Sequence, residues 1–397
     1  MGKTKIEWAT DVWNPIIGCS IVSPGCTNCY AMAMAHRINQ MTLASHYEGT
    51  TERAKGGKGP AVWTGKVALA NDHILTAPLR WKKPRRIFVN SMGDLFHESV
   101  PDEWIDKVFA VMALCPQHTF QCLTKRSKRM QEYMLEKWQG TVAQEFAGIT
   151  IPAGPPTGRA AQIEEACEPI LQQFGLADPE KDDLWTEDGS CKAMQWKWPL
   201  ANCWLGVSAE DQQRADERIP DLLATPAAVR WVSAEPLIGP IDFTRIRAPG
   251  YTDNDKGWTF DCLQTGDYYS LFEDDGRCVT GGDGPYRETK LDWIVVGGES
   301  GPGARPMHPD WARQVRDQCK AAGVPFYFKQ WGEFGPCELH PPGSAAYSIV
   351  LHDGRHLENH NVLDRPGDHT GEIIVRFGKR RAGRLLDGVL HDEYPSP

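Results

Sequence analysis

Short runs of β-branched and aromatic residues alternate with helical patterns along most of this 397-residue chain. Strands that alternate with helices form parallel βαβ units. The strand-like runs are residues 13–17, 86–90, 118–124, 203–208, 229–233, 291–297 and 324–329, and helical patterns include 31–40, 101–114, 211–223 and 309–322. No Gly-x-Gly-x-x-Gly follows an early strand, which disfavours a Rossmann sheet. The pattern predicts an α/β fold: a partial or complete TIM-like (β/α) barrel.

Two segments interrupt the alternation. Residues at about 140–200 are rich in Gly and Pro and then acidic, and residues at about 245–290 are rich in Asp, Gly and aromatic side chains. We interpret both as insertions in a barrel that covers residues 1–335. Residues 336–397 are interpreted as a C-terminal extension with hairpin-like pieces.

Charge and hydropathy limit the class of protein. The formal net charge is −9, which argues against a protein dedicated to binding duplex nucleic acid. No apolar run approaches the roughly 18 residues of a membrane span, and the first residues lack the apolar core of a signal peptide. We therefore expect a cytoplasmic protein with reduced thiols and no membrane partner.

Polar residues cluster where the predicted strands end. In a β/α barrel the loops that follow the strands converge on one rim, where ligands bind. The clusters are residues 90–94, 124–126, 208–211, 233–236, 297–301 and 329–333. A series of this kind, with charges of both signs, predicts a lined cavity. Gly297 and Gly298 within it are expected to allow close approach of the backbone to a ligand.

Three cysteines, Cys19, Cys26 and Cys29, lie within eleven residues of one loop after the first strand. Three thiolates can hold three irons of a 4Fe–4S cluster and leave the fourth iron open. A structural zinc site with His36 as fourth ligand, and three thiols without a metal, are the alternatives. A disulfide framework is disfavoured, because the number is odd and the other nine cysteines are scattered.

A three-cysteine loop after strand one, together with polar strand ends on a barrel rim, resembles the radical S-adenosylmethionine (SAM) enzymes. The spacing here is C-x6-C-x2-C, whereas the commonest spacing in that group is C-x3-C-x2-C. At family level the chain is similar to a phage- and prophage-associated family of radical-SAM-type proteins. The matching runs are residues 6–8, 13–15, 88–92, 94–97, 123–126, 204–208, 296–305, 328–333 and 383–388, besides the cysteines and Tyr30.

The resemblance implies roles for the strand-end residues. The three cysteines would hold the 4Fe–4S cluster, and SAM would bind its open iron. The implied SAM contacts are Ser91, Met92, Gly93 and Asp94 near the amino group, and Lys125, Arg126, Ser208 and Glu210 near the ribose and carboxylate. Asp94 could instead cap the helix that follows. Glu235, Glu299 and Lys329 are the implied catalytic residues, and Lys329 needs a carboxylate such as Glu299, or the substrate, to match its charge.

The function that follows from the resemblance is radical chemistry on a nucleic-acid base, in particular modification or rearrangement of a pyrimidine, hypermodified or not, in phage DNA. A DNA photoproduct lyase, and a zinc- or cluster-containing nucleic-acid-binding protein without radical chemistry, are the alternatives. Lys82, Lys83, Arg85, Arg86 and Arg126 are expected near the rim, where they could hold a phosphate backbone. The implied partners are DNA or a nucleotide, and an electron donor such as flavodoxin or ferredoxin, in the host cytoplasm if the chain is phage-encoded.

Overall fold

The computed structural model has a mixed α/β fold. It describes residues 3–4, 6–41, 45–53, 59–135, 145–146, 149–150, 159–174, 198–253, 256–265, 268–272, 278–283, 289–336, 347–351, 353, 355–358 and 371–396. Contacts within the chain define two compact units. The first unit comprises residues 1–20, 31–205 and 225–228, and the second comprises residues 21–30, 206–224 and 229–397.

Seven strands form one curled parallel sheet, a half-barrel. In bonding order they are β1 (Asp11–Trp13), β2 (Arg86–Val89), β3 (Thr119–Thr124), β4 (Cys203–Ser208), β5 (Val229–Ala234), β6 (Trp293–Gly297) and β7 (Phe326–Gln330). This order is also the chain order, as successive βαβ units require. Because β1 and β7 are the two edges, the sheet is open and is compatible with a partial β/α barrel.

Helices follow the predicted pattern closely. They cover Tyr30–Gln40, Asp72–Leu75, Asp102–Ala113, Ser127–Leu135, Arg159–Gln173, Gln212–Leu223, Pro309–Ala322 and Lys379–Ala382, with 3-10 turns at Pro24–Cys26, Ser45–Tyr47 and Ala77–Arg80. The helix Pro309–Ala322 shows why its ends were predictable: His308 caps its first turn and Gly323 ends it with a left-handed φ of 66°. None of the described helices has the length and apolar character needed to cross a bilayer.

Smaller antiparallel sheets occupy the two segments after residue 245. The strands Ile246–Asp253, Lys256–Phe260, Tyr268–Phe272 and Cys278–Asp283 form one four-stranded sheet. Phe334–Pro336, Gly371–Arg376, Tyr347–Leu351 and His356–Glu358 form another, in that order. Two-stranded pairs are Ile16–Ile17 with Ala68–Leu69, Thr51–Arg53 with Ala61–Trp63, Glu145–Phe146 with Ile149–Thr150, and Leu385–Leu386 with Val389–Leu390. The domain boundaries drawn from the sequence stay a prediction.

Each unit has its own aromatic core. In the first unit, Trp13 and Phe120 are fully buried and their rings lie 5.6 Å apart. In the second unit, Trp231 and Trp293 from neighbouring strands lie 5.3 Å apart and are also fully buried. Burial of such large side chains stabilises the strands from which they project. Core packing therefore accounts for these tryptophans.

Candidate functional site

The segments that follow β1 and β2 lie side by side in the first unit. Gly18 and Gly93 form a parallel bridge, and the Gly18 N–H donates to the Met92 carbonyl at 3.1 Å. A Cβ on Gly93 would lie 2.7 Å from the Ile16 carbonyl oxygen, so only glycine allows this approach. Close backbone packing therefore places the residue before Cys19 against the end of β2.

The predicted SAM contacts Ser91 and Met92 are held by Asn14. The Asn14 side-chain oxygen accepts hydrogen bonds from the Ser91 hydroxyl at 3.0 Å and from the Met92 N–H at 3.1 Å. Asn14 precedes Pro15 directly after β1. These contacts fix the strand-end turn through a residue for which sequence reasoning gave no role.

Asp94 is buried and bonded to several groups of the protein. Its carboxylate accepts from the Thr124 hydroxyl at 2.7 Å, the Phe96 N–H at 3.0 Å and the Lys125 N–H at 3.3 Å. Arg126 donates to it as well, at 3.1 Å. The helix beginning at Asp102 has Pro101 at its N-cap, so the alternative role of Asp94 as its cap is wrong.

Arg126 joins Asp94 to the first cysteine. The guanidinium is only 7% exposed; it donates to Cys19 Sγ at 3.4 Å, to the Ser20 hydroxyl at 2.7 Å and to Glu98 at 3.2 Å. Burial by itself would lower the pKa of Arg126, but the charges of Asp94, Cys19 and Glu98 outweigh burial and raise it. The guanidinium is therefore permanently charged, and it can neutralise a metal-binding thiolate at Cys19.

His97 completes this cluster in a fixed tautomer. Its Nδ1 accepts the Ser99 N–H at 3.1 Å, so Nε2 carries the proton and donates to the Ser20 hydroxyl at 3.0 Å. Burial, followed by the charge of Arg126, lowers the pKa of His97. A neutral histidine that donates to Ser20 cannot also act as a base toward it.

In the second unit, Glu210 holds the loop that carries the other two cysteines. Glu210 is fully buried at the end of β4, and its Oε1 accepts the Gly25 N–H at 3.1 Å. Its Oε2 pairs with Arg218 at 3.0 Å, and Arg218 also donates to the Ser208 carbonyl at 2.8 Å. Ser208 and Glu210, both predicted to contact SAM, thus belong to one buried ion-pair network.

Glu299 contacts the same loop from the end of β6. Its Oε2 accepts from the Asn28 amide at 3.1 Å and from the Arg305 N–H and Nε at 2.8 Å each. Its Oε1 accepts from Arg305 Nη2 at 2.6 Å, and the same nitrogen donates to the Pro24 carbonyl at 3.1 Å. Both oxygens of this predicted catalytic carboxylate are therefore occupied by protein donors.

Lys329 pairs with Glu235 and not with Glu299. The Lys329 Nζ lies 2.9 Å from Glu235 Oε1, and the Ser233 hydroxyl donates to the other oxygen at 3.2 Å. A Cβ on Gly297, which lies on the strand between β5 and β7, would be 2.5 Å from Glu235 Oε1. Gly297 therefore leaves room for the Glu235 carboxylate, whereas the sequence predicted close approach to a ligand.

Gly298 likewise allows the Trp331 carbonyl to approach: a Cβ there would lie 1.9 Å from that oxygen.

None of the three cysteines forms a disulfide; Cys26 is buried, and Cys19 and Cys29 are partly exposed. In the described part of the chain, no group of three or more His, Cys, Asp or Glu side chains is arranged to hold a metal ion. His36, the proposed fourth zinc ligand, has its Nδ1 3.4 Å from the Thr51 hydroxyl. The three thiols thus suit an iron–sulfur cluster by type and number.

Other cysteines differ from these three in their surroundings. Burial raises the pKa of the Cys115 thiol to about 12 and raises the pKa of Cys262 and Cys319 as well. Thiols of this kind are unreactive core residues.

The basic run of residues 80–86 lies at the wrong end of the sheet for the predicted role. It leads into the amino end of β2, whereas the cysteine loop follows the carboxyl end of β1, which is parallel to β2. Arg85 pairs with Asp11 at 2.5 Å and lies over the Trp81 ring. The expectation that this run lines the rim is therefore wrong, and of the five basic residues only Arg126 follows a strand end.

Sequence reasoning missed several residues that organise the site. These are Asn14, Ser20, Asn28, His97, Glu98, Arg218 and Arg305. Asn14, His97 and Arg305 lie within runs that resemble the family, so their presence there was a signal. Their partners are far away in the sequence, which is why no local pattern indicated the contacts.

A cavity of about 680 Å³ lies elsewhere, near the start of β7. Its lining includes Arg316, Lys320, Phe326, His391 and Glu393. No residue with a predicted role contributes to it.

Comparison with known proteins places the chain in a family. A family model described as "Protein of unknown function (DUF5131)" matches residues 3–395. The chain belongs to this family. DUF5131 covers nearly the whole chain, including both units and the cysteine loop. Comparisons with curated proteins and with solved structures gave no match. Phage association and an activity for DUF5131 thus stay predictions.

Proposed function

We propose that this chain is an iron–sulfur enzyme of the radical SAM type, in which Cys19, Cys26 and Cys29 bind a 4Fe–4S cluster. The observation that carries the proposal is that three cysteines share one loop after β1, and that charged strand-end residues contact this loop. Arg126 contacts Cys19, and Glu210 and Glu299 hold the segment of the other two. When bound, such a cluster would supply one electron for the reductive cleavage of SAM to methionine and a 5′-deoxyadenosyl radical.

The chain's own residues divide into two groups in this proposal. Asp94, Arg126, Glu210 and Glu299 are bonded to the protein and support the cysteine loop. Lys329 and Glu235 are partly exposed, at 17% and 12% of their side chains, and can reach a bound substrate. We assign to this pair the holding or transfer of a proton at the substrate, because the pair contains one donor and one acceptor 2.9 Å apart.

Ser91, Met92, Gly93 and Lys125, which surround Asp94 at the ends of β2 and β3, remain the proposed contacts of SAM. A pyrimidine base, free or in DNA, is the proposed substrate class, with flavodoxin or ferredoxin as electron donor. The proposed substrate class is supported by the family resemblance and not by the basic run at 80–86, because that run lies away from the cysteine loop.

Anaerobic purification with iron and sulfide analysis tests the proposal. We expect about four irons and four sulfides per chain and a brown colour. Single Cys19→Ala, Cys26→Ala and Cys29→Ala variants should lose most of the iron, whereas Cys115→Ala should retain it because Cys115 is a buried core thiol. Reduced wild-type protein should convert SAM to 5′-deoxyadenosine, detected by mass spectrometry.

Two results would contradict the proposal. A colourless protein that holds one zinc would favour the nucleic-acid-binding alternative. Bound iron with no 5′-deoxyadenosine, under any base or DNA substrate, would exclude SAM cleavage. If SAM is cleaved, comparison of the DNA nucleosides of cells with and without the gene separates base modification from photoproduct repair.

A further inference from the structure

Cys26 and Cys29 lie in a segment with little regular structure of its own. Pro24–Cys26 is one 3-10 turn, closed by the Cys26 N–H to the Ser23 carbonyl at 2.9 Å. The Cys29 N–H donates to the Cys26 carbonyl at 3.2 Å. Isolated turns of this length are unstable in water, so contacts with other elements must fix them.

Glu210 supplies one of these contacts. It is fully buried, and one oxygen accepts the Gly25 N–H while the other is paired with Arg218. A Cβ on Gly25 would lie 3.0 Å from the Glu210 carboxyl carbon, which shows how closely the turn rests on the carboxylate. Turning Glu210 toward a cofactor would leave Arg218 buried without its partner.

Glu299 supplies the second contact through Asn28 and Arg305. Asn28 lies between the two cysteines, and its amide donates to Glu299 at 3.1 Å and to the Gly303 carbonyl at 2.7 Å. Arg305, fixed by Glu299, donates to the Pro24 carbonyl on the other side of Cys26. The network therefore holds the chain before and after Cys26.

We propose that Glu210 and Glu299 are positioning residues that hold the Cys26–Cys29 turn in place before any metal binds, and that they contact neither SAM nor substrate. This inference deepens the proposed function and rests on it only for the identity of the metal. A loop that is already ordered loses less conformational entropy on binding a cluster. The two carboxylates thus act on affinity for the cluster and not on the reaction.

Thiol labelling of the metal-free protein tests the positioning role. Iodoacetamide labelling of Cys26 and Cys29, followed site by site with mass spectrometry, should be about tenfold faster in Asn28→Ala and in Glu299→Gln, because each variant weakens at least one hydrogen bond to a charged group. Glu393→Gln is the matched control: its carboxylate also accepts a backbone N–H, from Phe326 at 3.1 Å, but lies away from the turn. Buried Cys262 reports on general unfolding and should stay unlabelled.

The Glu210 contact needs a variant that does not disturb a buried ion pair. In Gly25→Ala the added methyl group would crowd the Glu210 carboxylate, and labelling of Cys26 should also become faster. Glu210→Gln is a second test, with protection of Cys262 as the check that the protein remains folded. The double variant Asn28→Ala with Glu299→Gln should be labelled no faster than the faster single variant, because both remove one network.

Iron content of the reconstituted variants separates this inference from the proposed function. Faster labelling together with reduced iron supports both. If the variants are labelled faster but the wild-type protein binds no iron, the positioning role is supported and the cluster proposal is contradicted. Unchanged labelling of Cys26 and Cys29, with Cys262 protected, overturns the positioning role whatever the iron content.

Discussion

At the scale of single residues, the Lys329–Glu235 pair shows how a charge is accommodated at a strand end. Both side chains are mostly covered, and they meet across β6 at 2.9 Å. Residues on alternate strands of a β/α barrel share a layer, and Gly297 on the strand between them leaves the necessary space. The pair can therefore stabilise the fold, take part in the reaction, or do both.

A double-mutant cycle separates these roles. Lys329→Met and Glu235→Gln should each lower the free energy of unfolding by about 1–3 kcal/mol, because each removes the opposite charge from beside a mostly covered side chain. The combined variant should recover part of that loss. Urea denaturation measures stability, and substrate turnover by the cluster-loaded enzyme measures activity.

If the pair transfers a proton, the combined variant regains stability while turnover stays low. Recovery of both would show that the pair is structural only. No recovery of stability would contradict the view that the two side chains depend on each other.

The sequence predicted which residues lie at strand ends, and not which of them meet. The sequence predicts that Lys329 needs a carboxylate such as Glu299, or the substrate, whereas its partner in the structure is Glu235. Arg305 already binds both oxygens of Glu299, at 2.6 and 2.8 Å. Such pairings depend on strand order, side-chain reach and competition between donors, which no local pattern contains.

At the scale of elements, the loops after β1 and β2 depend on close backbone contact. Gly18 has a φ of 99°, and a Cβ there would lie 2.1 Å from the Lys66 carbonyl oxygen. Gly65 has a similar φ of 84° but open space around its Cα. Comparison of the two glycines therefore separates backbone strain from steric overlap.

Substitution of these glycines gives a direct test. Gly65→Ala should cost about 1 kcal/mol of unfolding free energy, the strain of a left-handed alanine. Gly18→Ala should cost about 2 kcal/mol or more beyond that, because the backbone must also shift. Chemical denaturation measures both, and equal losses would show that the close approach has no energetic weight.

Helix ends were predictable where capping chemistry is local. Asp211 accepts the Arg214 N–H at 3.0 Å at the start of Gln212–Leu223, one residue from the predicted limit. The first strand begins earlier than predicted: the pattern indicated residues 13–17, whereas β1 is Asp11–Trp13. Ile16–Ile17 pairs instead with Ala68–Leu69, a contact distant in sequence that an apolar run cannot indicate.

At the scale of the whole molecule, two histidines, one buried and one half-buried, make stability depend on pH. Burial lowers the pKa of His118 in the first unit and of His391 in the second. Below pH 6.5, the ordinary pKa of histidine, these side chains therefore bind protons more readily in the unfolded chain than in the folded chain. Stability is complete above about pH 6.5 and falls as the pH decreases toward the lowered values.

Thermal unfolding across this range checks the direction. The midpoint should fall by several degrees between pH 7.5 and pH 5, and His118→Gln should show a smaller fall because one of these groups is removed. A midpoint that rises on acidification, or a variant with an unchanged profile, would contradict the assignment.

The β7 edge of the half-barrel is covered by residues 391–392. The Phe328 N–H donates to the His391 carbonyl at 3.0 Å, Tyr327 forms an antiparallel bridge with Asp392, and the Trp293 indole donates to the Glu393 carbonyl at 2.8 Å. An uncovered strand edge invites aggregation with other molecules. Truncation before residue 391 would thus expose the backbone edge of β7 to pairing with other molecules, so protein prepared for crystallisation should retain residues 391–393.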